Sequence, residues 1–206
     1  MSDLIKVQLP LSDDSLAALR SGDQVLLSGV LYTGRDAAHK RMIETLDRGQ
    51  QLPFDVRGQV IYYTGPAPAR PHQIIGSAGP TTAGRMDAYT PRLLELGLKG
   101  MIGKGERNQA VKEALVRHKG IYFAAIGGLA AVLAKRIKKV EMVAYEELGT
   151  EAIRRLEVED FPVTVINDTP GVDCHQDAEP ETEQHTSQTP NKTQADHPSI
   201  SRPHQR

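Results

Sequence analysis

The chain has 206 residues, of which 39% are hydrophobic and 25% charged, and a formal net charge of −1. That is the composition of a soluble globular protein, and it offers no electrostatic footprint for nucleic acid or a membrane surface. Tryptophan is absent, aromatics are 4%, and Cys174 is the single cysteine, which argues against base-stacking platforms, an internal disulfide and a cluster held by several thiolates of this chain.

The start, MSDLIKVQLP, lacks the basic head and apolar core of a signal peptide, and no run approaches the roughly 20 apolar residues that span a bilayer. A cytoplasmic location is therefore expected. VLLSGVL (Val25–Leu31) reads as a buried strand. A helix is expected over Asp36–Leu46, where Ala38, Met42 and Leu46 recur every four residues and Gly49 follows the end. QVIYYT (Gln59–Thr64) reads as a strand, GPAPARP as a loop, and QIIGS (Gln73–Ser77) as another short strand. Thr90-Pro91 has the form of an N-cap and first-turn proline opening a helix through Leu96. Strands are expected at Leu98–Ile102, Ile121–Ile126, Val140–Tyr145 and Pro162–Asn167, with helices at Asn108–His118 and Leu129–Lys138 between them. The alternation predicts an α/β domain, a mixed sheet covered by helices, over residues 1–172.

From Asp173 to Arg206 the sequence turns polar and proline-spotted and loses its aromatics. Such a segment buries too little apolar area to offset its ordering entropy, so a disordered tail is expected. It carries six acids and three bases, which leaves the rest of the chain mildly basic. Its four histidines (His175, His185, His197, His204) match no compact metal site.

In α/β domains, chemistry gathers where strands end and glycine-bearing loops begin. TGRDAAHKR (Thr33–Arg41) places Arg35 at a helix start, where free backbone N–H groups favour an anion and a guanidinium grips a carboxylate. The plainer alternative is Asp36 capping the helix with Arg35 solvated. GPTTAGRMD (Gly79–Asp87) sets two hydroxyls, Thr81 and Thr82, a turn ahead of Arg85; the alternative is a capped turn. IGKGE (Ile102–Glu106) puts Lys104 between glycines, either in a cleft or on a surface turn. It lacks the spacing of a phosphate-binding loop, since Gly105 stands where a serine or threonine would hold magnesium. Gly127-Gly128, between a strand and a small-residue helix, reads as close packing, with lining of a pocket as the alternative. If the loops converge, three cations and two hydroxyls suit a small dicarboxylate.

LLSGVLYTGRDAAHKR, GPTTAGRMD, GMIGKG and IKKVEMVAYEELGTEAIRRLEVEDFPVTVIND together resemble the class I, iron–sulfur-dependent fumarate hydratases. The resemblance runs from about Leu4 to Asp173. It is to the β subunit of the two-subunit form, equivalent to the C-terminal domain of the single-chain form. It implies a swivelling β/β/α domain and the reversible hydration of fumarate to (S)-malate, a step of the tricarboxylic acid cycle. It also implies a [4Fe-4S] cluster bound by a partner α subunit, no metal ligand in this chain, and an α2β2-type assembly. By motif, Arg35, Arg85 and Lys104 would hold substrate carboxylates and Thr82 would hydrogen-bond substrate. Thr81 would serve proton transfer, with His39 and Asp36 behind them. The β subunit of L(+)-tartrate dehydratase shares GPTT and GKG and is the nearest alternative within the family. A stand-alone, non-catalytic dicarboxylate-binding module is the alternative outside it.

Overall fold

The computed structural model describes residues 4–125 and 130–174. In chain order these form β1 (Ile5–Gln8), α1 (Asp13–Ala18), β2 (Gln24–Thr33), α2 (Asp36–Asp47), β3 (Val60–Tyr62), α3 (Thr90–Glu95) and β4 (Gly100–Gly103). They continue as α4 (Gln109–His118), β5 (Ile121–Ala124), α5 (Ala130–Lys135), β6 (Ile137–Ala144) and β7 (Ile153–Asn167), with 3-10 turns at Ala83–Met86 and Glu146–Glu151. The result is an α/β fold on a mixed sheet.

β2, β3, β4 and β5 are successive parallel neighbours. The long β7 runs antiparallel to β2, from Tyr32↔Arg155 to Gln24↔Thr164, and its last residues also pair with β5, Phe123↔Val165. Because β7 bonds to both, the sheet closes on itself through β2–β3–β4–β5–β7. β1 flanks the first half of β2, and β6 flanks the first half of β7.

Side chains alternate across each strand, and the alternation sorts the core in two. Leu27, Leu31, Val60, Tyr62, Ile102, Phe123 and Val165 are fully buried and form one cluster. Their neighbours Ile61, Tyr63, Met101 and Tyr122 point the other way and pack with Met42, Leu93 and Leu115 from α2, α3 and α4. The parallel strands therefore have a closed, apolar interior and a helical layer outside it.

Local signals account for several boundaries. Ser12 and Ser15 form a reciprocal capping box on α1. Asn108 caps α4 by accepting a hydrogen bond from Val111 N at 2.9 Å. α2 starts at Asp36 as expected and ends at Asp47. Past β7, Cys174 N–H donates to Ile166 O at 3.0 Å, and Lys112 pairs with Asp173 at 2.5 Å.

Other expectations need correcting. QIIGS is not a strand: Pro66, Pro68 and Pro71 interrupt the donors around it, and Ala67 N–H pairs across the loop with Ser77 O at 2.9 Å. Thr90 is not the cap of α3. Tyr89 holds that position, and the Thr90 hydroxyl turns inward to donate to Met86 O at 2.9 Å. α5 stops at Lys135, because Ile137 already belongs to β6. β1 and α1 were not anticipated, nor was Ile153–Phe161 as the first part of β7. The charges of RRLEVED hide that strand: Arg155 faces Glu141 on β6 at 3.1 Å. The expected strand end at Ile126, Gly127-Gly128 and the helix start at Leu129 lie outside the described residues, as does the expected tail from His175 onward. Among the described residues no helix is long and apolar enough to cross a membrane.

The β2–β7 pairing shifts register between Leu27 and Gly29. Gly29 has φ +122°, and a Cβ there would stand 2.8 Å from Leu9 O. Gly29→Ala combines a left-handed backbone with a backbone clash, and should destabilise the fold by about 2 kcal/mol or more, read as a lowered urea midpoint.

Candidate active site

Parallel strands end on one side, so the loops after β2, β3 and β4 all leave the closed sheet at the same rim. β7 runs the opposite way, so its beginning, preceded by Glu151, reaches that rim too. The Thr33 hydroxyl stitches the two ends together, donating to Ala152 O (3.0 Å) and accepting from Arg154 N (2.9 Å).

Arg35 stands at the start of α2 as the residue before its first turn. Its guanidinium meets Glu151 at 3.3 Å, with both side chains 22% exposed. The other Glu151 oxygen accepts from Ala37 N at 2.9 Å, so one carboxylate holds both the arginine and a free helix N–H. The guanidinium lies against Gly65, where a Cβ would come within 2.5 Å of Arg35 Nη1. Asp36 pairs with Arg85, which projects from the 3-10 turn Ala83–Met86.

Thr81 and Thr82 are laid beside the ends of β3 and β4. Thr81 N donates to Tyr63 O at 2.7 Å, Lys104 N donates to Thr81 O at 3.1 Å, and Ala83 N donates to Lys104 O at 2.8 Å. GPTTAGRMD therefore continues the sheet by one bridge, Thr82↔Lys104. Lys104 is exposed and pairs with no carboxylate among the described residues. A continuous set of contacts links Arg35–Asp36 to Arg85, to Thr81–Ala83 and to Lys104. The structure brings together five residues expected at the site, along with Asp36.

His39 lies behind them, fully buried under the Gly34–Arg35 turn and edge-on to Tyr63, with ring centroids 5.3 Å apart. Its Nδ1 is 2.8 Å from Arg35 O. A carbonyl only accepts, so Nδ1 carries the proton and Nε2 is the bare nitrogen. Arg35 Nε, Asp36 Oδ1 and His39 Nε2 are buried without hydrogen-bond partners among the described residues, as are Gln59 Oε1, Tyr145 Oη and Asn167 Oδ1 elsewhere in the fold.

The rim carries two paired guanidiniums, two hydroxyls and an ammonium with no carboxylate partner among the described residues, groups that can each hydrogen-bond an anion. The family model for the fumarase C-terminus matches residues 2–178 of this chain. The chain belongs to that family.

Relatives within it include the class I, aerobic fumarate hydratase of Salmonella typhimurium, 47% identical over 152 residues, covering 73% of this chain and 26% of that protein. Fumarate hydratase 2 of Leishmania major is 43% identical over 156 residues, covering 75% of this chain and 28% of that protein. This chain thus spans about a quarter of the length of the fumarate hydratases it matches. A "Putative L(+)-tartrate dehydratase subunit beta" of Methanocaldococcus jannaschii is 36% identical over 167 residues, covering 78% of this chain and 86% of that protein.

Two site elements of this family member escaped the sequence reading. Glu151 sits at the end of a 3-10 turn far along the chain from Arg35, with no motif to announce it. Arg107, three residues past Lys104, is fully buried and bonded to Asp87 at 2.7 Å. The final D of GPTTAGRMD was the available signal, a carboxylate in a loop otherwise suited to anions.

Burial pushes the His39 imidazole down from 6.5 to about 4; Arg107 adds to this, while the bond to Arg35 O and nearby Glu151 oppose it. The unfolded chain therefore binds one more proton between those values. Stability should be complete above pH 6.5 and fall as pH drops toward 4, with a slope of up to about 1.4 kcal/mol per pH unit from this residue. Urea unfolding of wild type and His39→Gln across pH 4–7.5 checks it: the variant should lose about one proton's worth of that slope.

Proposed function

We propose that this chain is the β part of an iron–sulfur hydro-lyase that reversibly hydrates fumarate to (S)-malate, at a site shared with an α subunit. The observation that carries the reading is the convergence of Arg35, Thr81, Thr82, Arg85 and Lys104 on one rim, in a chain 47% identical to class I fumarate hydratases over its matched length. A [4Fe-4S] cluster is held by several thiolates, and this chain has only Cys174. Its own residues do not fit the cluster, which the proposal assigns to the partner. A relative named as a subunit beta, 86% of which is covered, supports the reading of a subunit that works with a partner.

In this reading Arg35, Arg85 and Lys104 receive the substrate carboxylates by charge-assisted hydrogen bonds, and Thr82 adds a neutral one. Thr81 stands at the carbon that exchanges its proton. A threonine hydroxyl is a weak base at its ordinary pKa, so the cations around it and a carboxylate from the partner must activate it. The closed sheet with its helical layer acts in this reading as a swivelling β/β/α domain over residues 1–172. The assembly is α2β2-type and cytoplasmic. The β subunit of tartrate dehydratase is the second reading, favoured by the matching extent of that relative.

Anaerobic assay of fumarate-to-malate conversion tests this, with the chain alone and with a cluster-bearing partner. Activity is expected only in the mixture; conversion of tartrate but not fumarate would move the assignment to the second reading. Arg85→Ala should lower kcat/KM about 100-fold with little change in melting temperature, since it removes a charge-assisted contact from an exposed side chain. Thr81→Val should abolish turnover and leave assembly intact, and an active Thr81→Val enzyme would remove Thr81 from the mechanism.

A further inference from the structure

We propose that Arg107 is a positioning residue, which through Asp87, Tyr63 and Tyr122 holds the Thr81–Arg85 segment in register with the Lys104 loop. The proposal rests on reading the rim as a dicarboxylate site. The Arg107 side chain is 0% exposed. Nε donates to Asp87 Oδ1 at 2.7 Å, Nη2 to Thr90 Oγ1 at 2.8 Å, and Nη1 reaches the Tyr63 hydroxyl at 3.4 Å. The guanidinium carbon lies 5.4 Å from the Tyr63 ring centroid and 5.1 Å from that of Tyr122, close enough for both ring faces to contribute.

Three of these partners, Asp87, Tyr63 and Tyr122, lead on to segments that carry rim groups. Asp87 follows Arg85 by two residues, and its second oxygen accepts from Asn108 N at 2.7 Å. Tyr63 O accepts from Thr81 N. The Tyr122 hydroxyl donates to Gly105 O at 2.8 Å, one residue past Lys104. A single cation thus spans the segment that carries the hydroxyls and Arg85, the loop that carries Lys104, and the two strands beneath them.

Stability alone does not call for this arrangement, because a buried ion pair is often replaced by apolar residues without loss. What the guanidinium supplies is direction, through a planar fork with donors at fixed angles, which an ammonium on a flexible stem does not reproduce. Arg107 is too deeply buried to meet a ligand and acts only through its neighbours.

The test uses the full chain assembled with its partner. In Arg107→Lys, the KM for fumarate should rise about tenfold or more and kcat per folded site should fall. Hydrogen exchange at the Thr81, Ala83 and Lys104 amides should quicken at least about tenfold, while the β2 amides stay as in wild type. A folded variant with wild-type KM and wild-type exchange at those amides overturns the proposal. So does a fall in kcat that only follows the folded fraction. Should Arg107→Lys not fold, Tyr122→Phe carries the test, since it removes one hydroxyl and keeps the ring: a raised KM and faster exchange at Lys104 are expected, and no change in either overturns the proposal. If the wild-type assembly hydrates no dicarboxylate, the functional reading falls by itself, and the exchange rates still decide whether Arg107 couples the two loops.

Discussion

Closure of the sheet by β7 is the constraint on which the rest depends. A run of parallel strands from β2 to β5 leaves two open edges, each a row of unpaired backbone groups. β7 is long enough, at 15 residues, to pair with β2 along most of its length and with β5 at its end. That pairing seals the interior around Leu27, Tyr62 and Phe123. It also turns the ends of three parallel strands, with the start of β7, toward one rim. Arg35, Thr81 and Lys104 lie apart in sequence and stand at the same rim because of it.

The charges of the site fall into two energetic classes. Arg35–Glu151 and Arg85–Asp36 are partly exposed pairs, of a kind worth about 0–1 kcal/mol in water. A ligand carboxylate could replace either in-chain partner at little cost. Arg107–Asp87 is buried, and removing one member of such a pair costs about 3–5 kcal/mol. The chain thus sets weakly paired cations at the surface over a fixed one below, an arrangement that suits the anion-binding role proposed for these loops.

Most elements were legible because their signals are local. α2 shows its four-residue period, α4 was placed to within one residue of its start, and β3 and β5 show their apolar runs. The first part of β7 was not legible. Its arginines and glutamates look like a solvated loop until β6 supplies opposite charges across the ladder. QIIGS failed the other way: its apolar residues suggested a strand, and the surrounding prolines left it without a ladder. Among site residues, the glycine-bracketed cations stood out in sequence, whereas Glu151 and Arg107 did not. Their roles come from partners more than a hundred and about twenty residues away respectively.

The sequence by itself determined the alternation of strands and helices, the residues offered to an anion, and the lack of thiolates for a cluster, since each is a matter of residue type and short spacing. Only the tertiary structure decided that those residues meet, that two of the three cations carry in-chain carboxylates, and that Arg107 lies beneath them. Convergence depends on which strands pair and how the sheet closes, and those are long-range contacts that no local pattern encodes.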